Sequence, residues 1–166
     1  AGTLAAQYPV EDFIKALNLL DFSIHLKVIG SWDGLSKERL EKCKAHVRLE
    51  FIDYVPKKEL NSIMMASHLS LFLLPEVDSA KGHVPGKLFD YMGAGNPILG
   101  LGPIQGDAAK IIRSVNAGDV FSYENTQGIV DFIHAHKENC PRLDSALTHK
   151  YERSLQAKAV LQAIFE

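Results

Sequence analysis

The chain has 166 residues, 46% of them hydrophobic and 23% charged. That suits one α/β-sized domain burying roughly 70% of its unfolded surface, and it excludes disorder, collagen and fibrous repeats. Eighteen Lys plus Arg against twenty Asp plus Glu leave a formal charge of −2, so no global positive field draws the domain to nucleic acid or anionic lipid, and any anion must be held locally. Cys43 and Cys140 lack metal-ligand spacing, which predicts neither a disulfide scaffold nor a zinc site and makes a reduced, cytoplasmic setting the default. No apolar run reaches the ~18 to 20 residues that span a bilayer, and the opening AGTLAAQYP lacks the regions of a signal peptide. A first residue other than Met, inside what reads as a strand-to-loop turn, suggests a fragment of a longer chain.

Val10 to Asp21 spaces Phe13, Ile14, Leu17 and Leu20 by three and four residues behind Glu11 and Asp12, which predicts a helix. From Ile24 the period changes to two, predicting a strand that stops at Gly30. Ser36 is a candidate N-cap for a helix over Lys37 to Ala45. A strand VRLEFIDYV follows and ends at Pro56, a helix runs from Lys57 to Ser67, and Leu69 to Leu74 is apolar apart from Ser70, as a central parallel strand covered on both faces would be. In VPGKLFDYMGAGNPIL, Pro85 suits the first helical position, Leu88, Phe89 and Met92 form a stripe, and Gly95, Asn96 and Pro97 supply the stop. Ile98 to Leu101 predicts a strand, Asp107 caps a helix over Ala108 to Val115 that ends by Gly118, and Val120 to Tyr123 predicts a strand. Helices over Gln127 to Lys137 and Asp144 to Phe165 complete the chain.

This alternation argues for a doubly wound parallel sheet. In such folds ligands bind where loops leave the carboxyl ends of strands, so the informative loops follow Ala1, Gly30, Val55, Pro75 and Leu101. The loop Glu76 to Pro85 carries Lys81, Gly82 and His83 just before the helix containing Lys87 and Asp90. Free N–H groups, a positive helix end, a glycine for close approach and a lysine charge together form an anion cradle. The plainer reading makes Lys81 a solvated charge and Lys87 the i,i+3 partner of Asp90. No P-loop is present, and GAGNP follows a helix rather than opening one. His134 and His136, two apart on a helix, face different directions with no carboxylate at ligand spacing, so no metal site is expected.

The series HLKVIG, VRLEFIDYVPKKEL, SHLSLFLLP and VPGKLFDYMGAGNPIL, followed by GDAAKII and NAG, resembles the C-terminal, donor-binding domain of GT-B glycosyltransferases, in particular the retaining group 1 (family 4) branch. The resemblance covers nearly the whole chain and implies a Rossmann-like half of a GT-B fold. It also implies that the N-terminal acceptor domain lies outside this sequence. The implied substrate is a nucleotide-diphosphate sugar, without an obligatory metal or other cofactor. The acceptor is a saccharide or lipid reached through the other domain, which is also where any contact with the inner membrane face would lie. Carried onto this sequence, the resemblance gives Asp90 the ribose hydroxyls and the backbone at Tyr54, Val55 and Pro56 the base edge. Gly82, His83, Val84 and Gly86 face the diphosphate, the end of the first strand at Gly2 and Thr3 borders the donor, and Lys81 and Lys87 are the catalytic charge donors. Replacing either lysine with Ala is expected to slow the full-length enzyme about tenfold or more, or about 1.4 kcal/mol.

The sequence departs from the family in two places. Relatives often carry an acidic residue eight positions before the ribose acid, where this chain has Gly82. Relatives also often place Arg and Lys after the first strand, where Gly2-Thr3-Leu4 leads here to Gln7. The competing readings are a nucleotide-sugar epimerase or hydrolase of the same architecture and a non-catalytic Rossmann-like nucleotide-binding module. A phosphoacceptor receiver domain is disfavoured, because the first strand lacks an acidic pair.

Overall fold

A computed structural model describes residues 1–138 and 140–165. Strand β1 (Gly2–Leu4) leads to α1 (Glu11–Leu19), β2 (Ile24–Trp32), α2 (Gly34–Leu40), β3 (Val47–Ile52), α3 (Lys57–Met65) and β4 (Ser70–Leu73). A 3-10 turn (Asp78–Gly82) then precedes α4 (Lys87–Ala94), β5 (Ile98–Leu101), α5 (Asp107–Ser114), β6 (Gly118–Phe121) and α6 (Thr126–Ala135). The chain closes with α7 (Ser145–Thr148), a 3-10 turn (His149–Tyr151) and α8 (Arg153–Phe165). The strands form two three-stranded sheets, β1-β2-β3 and β4-β5-β6, and every pairing is parallel. The architecture is α/β and Rossmann-like, as the alternation predicts.

Helices cover both faces of the second sheet. On one face, Phe72, Ile98 and Val120 pack against Met64 of α3, Leu88 of α4 and Ile112 of α5. On the other, Leu99 and Leu101 meet Leu17 of α1 with Ile129 and Ile133 of α6. Each fully buried aliphatic or aromatic side chain stabilises the fold by about 1.5–3 kcal/mol. Gly118, at φ +138°, lets β6 lie so close to β5 that a Cβ there would collide with the Ile98 carbonyl. Under the first sheet a smaller cluster gathers Leu4, Val10, Ile14 and Leu40.

Several boundaries differ from the sequence expectation for identifiable reasons. Strand β2 continues past Gly30 to Trp32, because Gly30 at φ +117° stays in the ladder opposite Gly2. Strand β1 likewise runs through Leu4, so its loop begins at Ala5 rather than after Ala1. Strand β3 stops at Ile52, three residues before Val55. Strand β4, apolar enough for a sheet centre, is an edge, and β5 with all four residues buried takes the centre. Helix α2 is capped by Asp33, whose Oδ1 accepts from the Ser36 N–H at 2.7 Å, while Ser36 is buried inside the first turn. Gly106 is the cap of α5, with Asp107 as its first residue. Helix α6 is capped by Asn125, whose Oδ1 accepts from the Gly128 N–H at 2.9 Å. The single helix expected over 144–165 is broken at Glu152, which is extended at ψ 133°. Tyr151 packs on Phe89 of α4, and beyond this anchor Val160, Leu161 and Ile164 are exposed.

Candidate functional site

The loop after β1 and the loop after β4 each leave the carboxyl end of a parallel strand, one in each sheet, and in a doubly wound fold such ends are where ligands bind. The first loop is fixed by its own chemistry. Asp33 Oδ2 accepts from the Ala6 N–H at 2.7 Å, Arg39 Nη1 donates to the Ala6 carbonyl at 3.1 Å, and the Arg39 guanidinium pairs with Glu11 at 3.1 Å. A carboxylate with two acceptor oxygens thus caps α2 and holds this loop at once. Hydrogen bonds from the Ser36 N–H and hydroxyl and from the Ala6 N–H, with the Arg39 charge nearby, hold the Asp33 carboxyl below its ordinary range.

Lys87 opens α4 beside these loops. Its Nζ lies 5.4 Å from the Phe72 ring centre and 5.9 Å from that of Tyr8, and burial pushes the ammonium down from its ordinary value. The expected i,i+3 pairing with Asp90 is replaced by a longer-range one: Asp90 Oδ1 accepts from Lys57 Nζ, at the start of α3, at 2.7 Å. Among the described residues no carboxylate pairs with Lys87. An ammonium held against aromatic faces keeps part of its stabilisation, worth about 0.5–2 kcal/mol, while its N–H groups stay available to an anion.

No side chain caps α4. The N–H groups of Leu88 and Phe89 close back on the carbonyls of Pro85 and Gly86 at 3.0 and 3.1 Å. The turn therefore leaves the Gly86 and Lys87 amides outside its own hydrogen bonds, at the positive end of the helix. A Cβ on Gly82 or Gly86 would meet nothing within 4 Å, so open space adjoins both backbones. Gly82 and His83 are exposed, and Val84 packs against the cluster around Leu88.

Lys81 lies in the 3-10 turn and lines a different hollow, of about 650 Å³, beyond the carboxyl ends of β4, β5 and β6. That hollow is also bounded by Glu76, Gly102, Gly106 and Tyr123. The Tyr123 hydroxyl donates to the Leu74 carbonyl at 2.8 Å, and burial pushes this phenol up. The two lysines with the same expected role therefore border separate spaces. Gly2 and Thr3 lie within β1, where Thr3 Oγ1 accepts from Ser31 Oγ at 3.1 Å. Tyr54, after β3, is 85% exposed beside the half-buried Val55, and the adjoining Lys57 links this loop to Asp90.

Sequence spacing did not reveal Tyr8 and Phe72 around Lys87, nor Lys57 beside Asp90. These partners are 79, 15 and 33 positions away and meet through the sheet, leaving no local periodic signal. His136 stacks on Phe132 at 4.2 Å and His134 meets Phe22 edge-on at 5.3 Å. Among the described residues, no group of three or more His, Cys, Asp or Glu could hold a metal ion, and no helix is long and apolar enough to cross a membrane. Comparisons with family models, curated proteins and solved structures return no match, so the site is defined by its own geometry.

Proposed function

We propose that this chain is the donor-binding domain of a retaining glycosyltransferase, with the diphosphate of a nucleotide sugar seated where β1 and β4 end. Lys87 is the observation that carries this reading. A half-buried ammonium stands at an uncapped helix start, walled by aromatic rings instead of a carboxylate. A diphosphate oxygen there accepts from the ammonium and from the first amides of α4. Each such charge-assisted bond contributes about 1.5–3 kcal/mol.

The neighbouring groups suit the rest of the ligand. Lys57 holds one oxygen of Asp90, while Oδ2 is the acceptor left for a ribose hydroxyl. The exposed Tyr54 and the backbone at Val55 border the base. In transfer, the sugar–phosphate bond breaks and negative charge grows on the departing diphosphate. The Lys87 ammonium and the helix-end N–H groups then interact more strongly than with the ground state, and that difference lowers the barrier. The hexose-type sugar passes to a saccharide or lipid acceptor presented by another domain. Gly82, in the place of an acidic residue common in relatives, favours a second reading: a nucleotide-binding module without transfer activity.

Calorimetric titration with the nucleoside diphosphates of uracil, guanine, adenine and thymine tests the proposal, with the matching monophosphates as controls. Diphosphates should bind more tightly than monophosphates, and Lys87→Ala should weaken the preferred diphosphate about tenfold or more. Lys81→Ala, on the separate hollow, should do less. Equal affinity in Lys87→Ala and the parent chain overturns the assignment. Binding without transfer to any acceptor in the full-length protein selects the second reading.

A further inference from the structure

Tyr8 stands in the loop between β1 and α1. That loop has no ladder of its own, and one of its peptides is gripped from both sides by α2: Asp33 accepts from the Ala6 N–H at 2.7 Å and Arg39 donates to the Ala6 carbonyl at 3.1 Å. Glu11, at the start of α1, pairs with the same guanidinium at 3.1 Å, and the Tyr8 N–H closes on the Ala5 carbonyl at 3.0 Å. With both polar groups of Ala6 fixed, the direction in which the Tyr8 side chain leaves the loop is fixed too. Its ring packs on the cluster of Leu4, Val10 and Leu40 and faces Lys87, whose Nζ is 5.9 Å from the ring centre.

A tyrosine hydroxyl in a partly buried place usually finds a hydrogen-bond partner. That of Tyr123 does, donating to the Leu74 carbonyl at 2.8 Å where β4 ends. The Tyr8 ring is half-buried, yet among the described residues no group bonds its hydroxyl, and no side-chain oxygen without a partner is shut away from solvent. The Tyr8 hydroxyl is therefore both unengaged and reachable. Burial, and after it the nearby Tyr8 and Glu76, push the Tyr123 phenol up, so the Tyr8 side chain extends from the β1 loop toward the end of β4.

We propose that Tyr8 is a second phosphate-binding residue of this site: its hydroxyl donates to a diphosphate oxygen beside the Lys87 ammonium, with Asp33 and Arg39 as its positioning residues. The inference rests on the donor reading above and supplies the contact from the β1 side. A phenol suits this place better than a second cation, because its ring stabilises the half-buried ammonium where another positive charge would repel it. Its O–H still gives a phosphate oxygen a charge-assisted hydrogen bond.

The test measures, by calorimetry, the affinity for whichever nucleoside diphosphate binds the parent chain best, with thermal melts reporting that each variant is folded. Tyr8→Phe keeps the ring over Lys87 and removes only the O–H; it should weaken binding about fivefold or more and leave the melting temperature nearly unchanged. Arg39→Ala should weaken binding about threefold by loosening the loop, and Arg39→Lys, which restores a donor for the Ala6 carbonyl, should recover most of that loss. In the Tyr8→Phe background Arg39→Ala should add little, because it acts through the hydroxyl. Equal affinity in Tyr8→Phe and the parent overturns the proposal and leaves the donor reading in place. An Arg39→Ala loss of the same size in both backgrounds overturns the positioning role. A parent chain that binds no nucleoside diphosphate removes the donor reading itself, and this inference with it.

Discussion

The two sheets have the same number of strands and the same parallel pairing, but they differ in how they are covered. In β5 every residue is buried, and its neighbours β4 and β6 send side chains into helix layers on both faces. In β2, which is nine residues long, only Ile29 is buried; Ile24, Leu26 and Val28 are half-exposed and line a cavity of about 700 Å³. The sequence patterns explain the contrast only in part. Strand β5 reads ILGL and is apolar throughout, whereas β2 alternates His25 and Lys27 with its apolar residues. Those two side chains reach Glu50 on β3, His25 Nε2 at 2.6 Å and Lys27 Nζ at 3.8 Å, forming a polar face on the first sheet. A parallel strand with one polar face and one open edge derives little stability from burial.

The largest effect expected from this contrast is in core truncations. Leu101→Ala, in the closed half, should cost about 2–5 kcal/mol, because nothing can collapse into the space it leaves. Leu26→Ala, beside a space already open, should cost about 1 kcal/mol or less. Urea midpoints at constant m-value measure both, and equal costs would erase the distinction between the halves.

The smallest effect is expected at Lys57. Its ion pair with Asp90 is largely exposed, so Lys57→Ala should change stability by less than about 0.5 kcal/mol. The same substitution frees both Asp90 oxygens and should alter affinity for nucleosides more than it alters the melting temperature. A large loss of stability would show that this pair is structural.

Most of the fold was legible because it rests on local signals. The stop at Gly95 appears where Gly, Asn and Pro predict it, with Gly95 at φ +77°. The helix face of Leu88 and Met92 is buried as its spacing requires. Caps were less legible, since Asp33 and Ser36 are both good capping residues and only the Asp33 link to the Ala6 loop decides between them. The site was legible only along the chain. The segment from Lys81 to Asp90 was recognisable, but whether its lysines share a hollow depends on Tyr8 and Phe72, which arrive from other elements. Nothing in the local pattern of β4, apolar as a central strand would be, shows that it stands at a sheet edge.

The central claim is that Lys87 receives the diphosphate, and the most direct measurement is the pH titration of its ammonium by NMR, with and without the nucleoside diphosphate that binds best. Burial holds this group below its ordinary value in the free protein. An anion in contact should raise it again and shift its resonance, with Lys81 much less affected. A Lys87 titration that is unchanged while the nucleotide is fully bound would contradict the account and move the anion elsewhere in the fold.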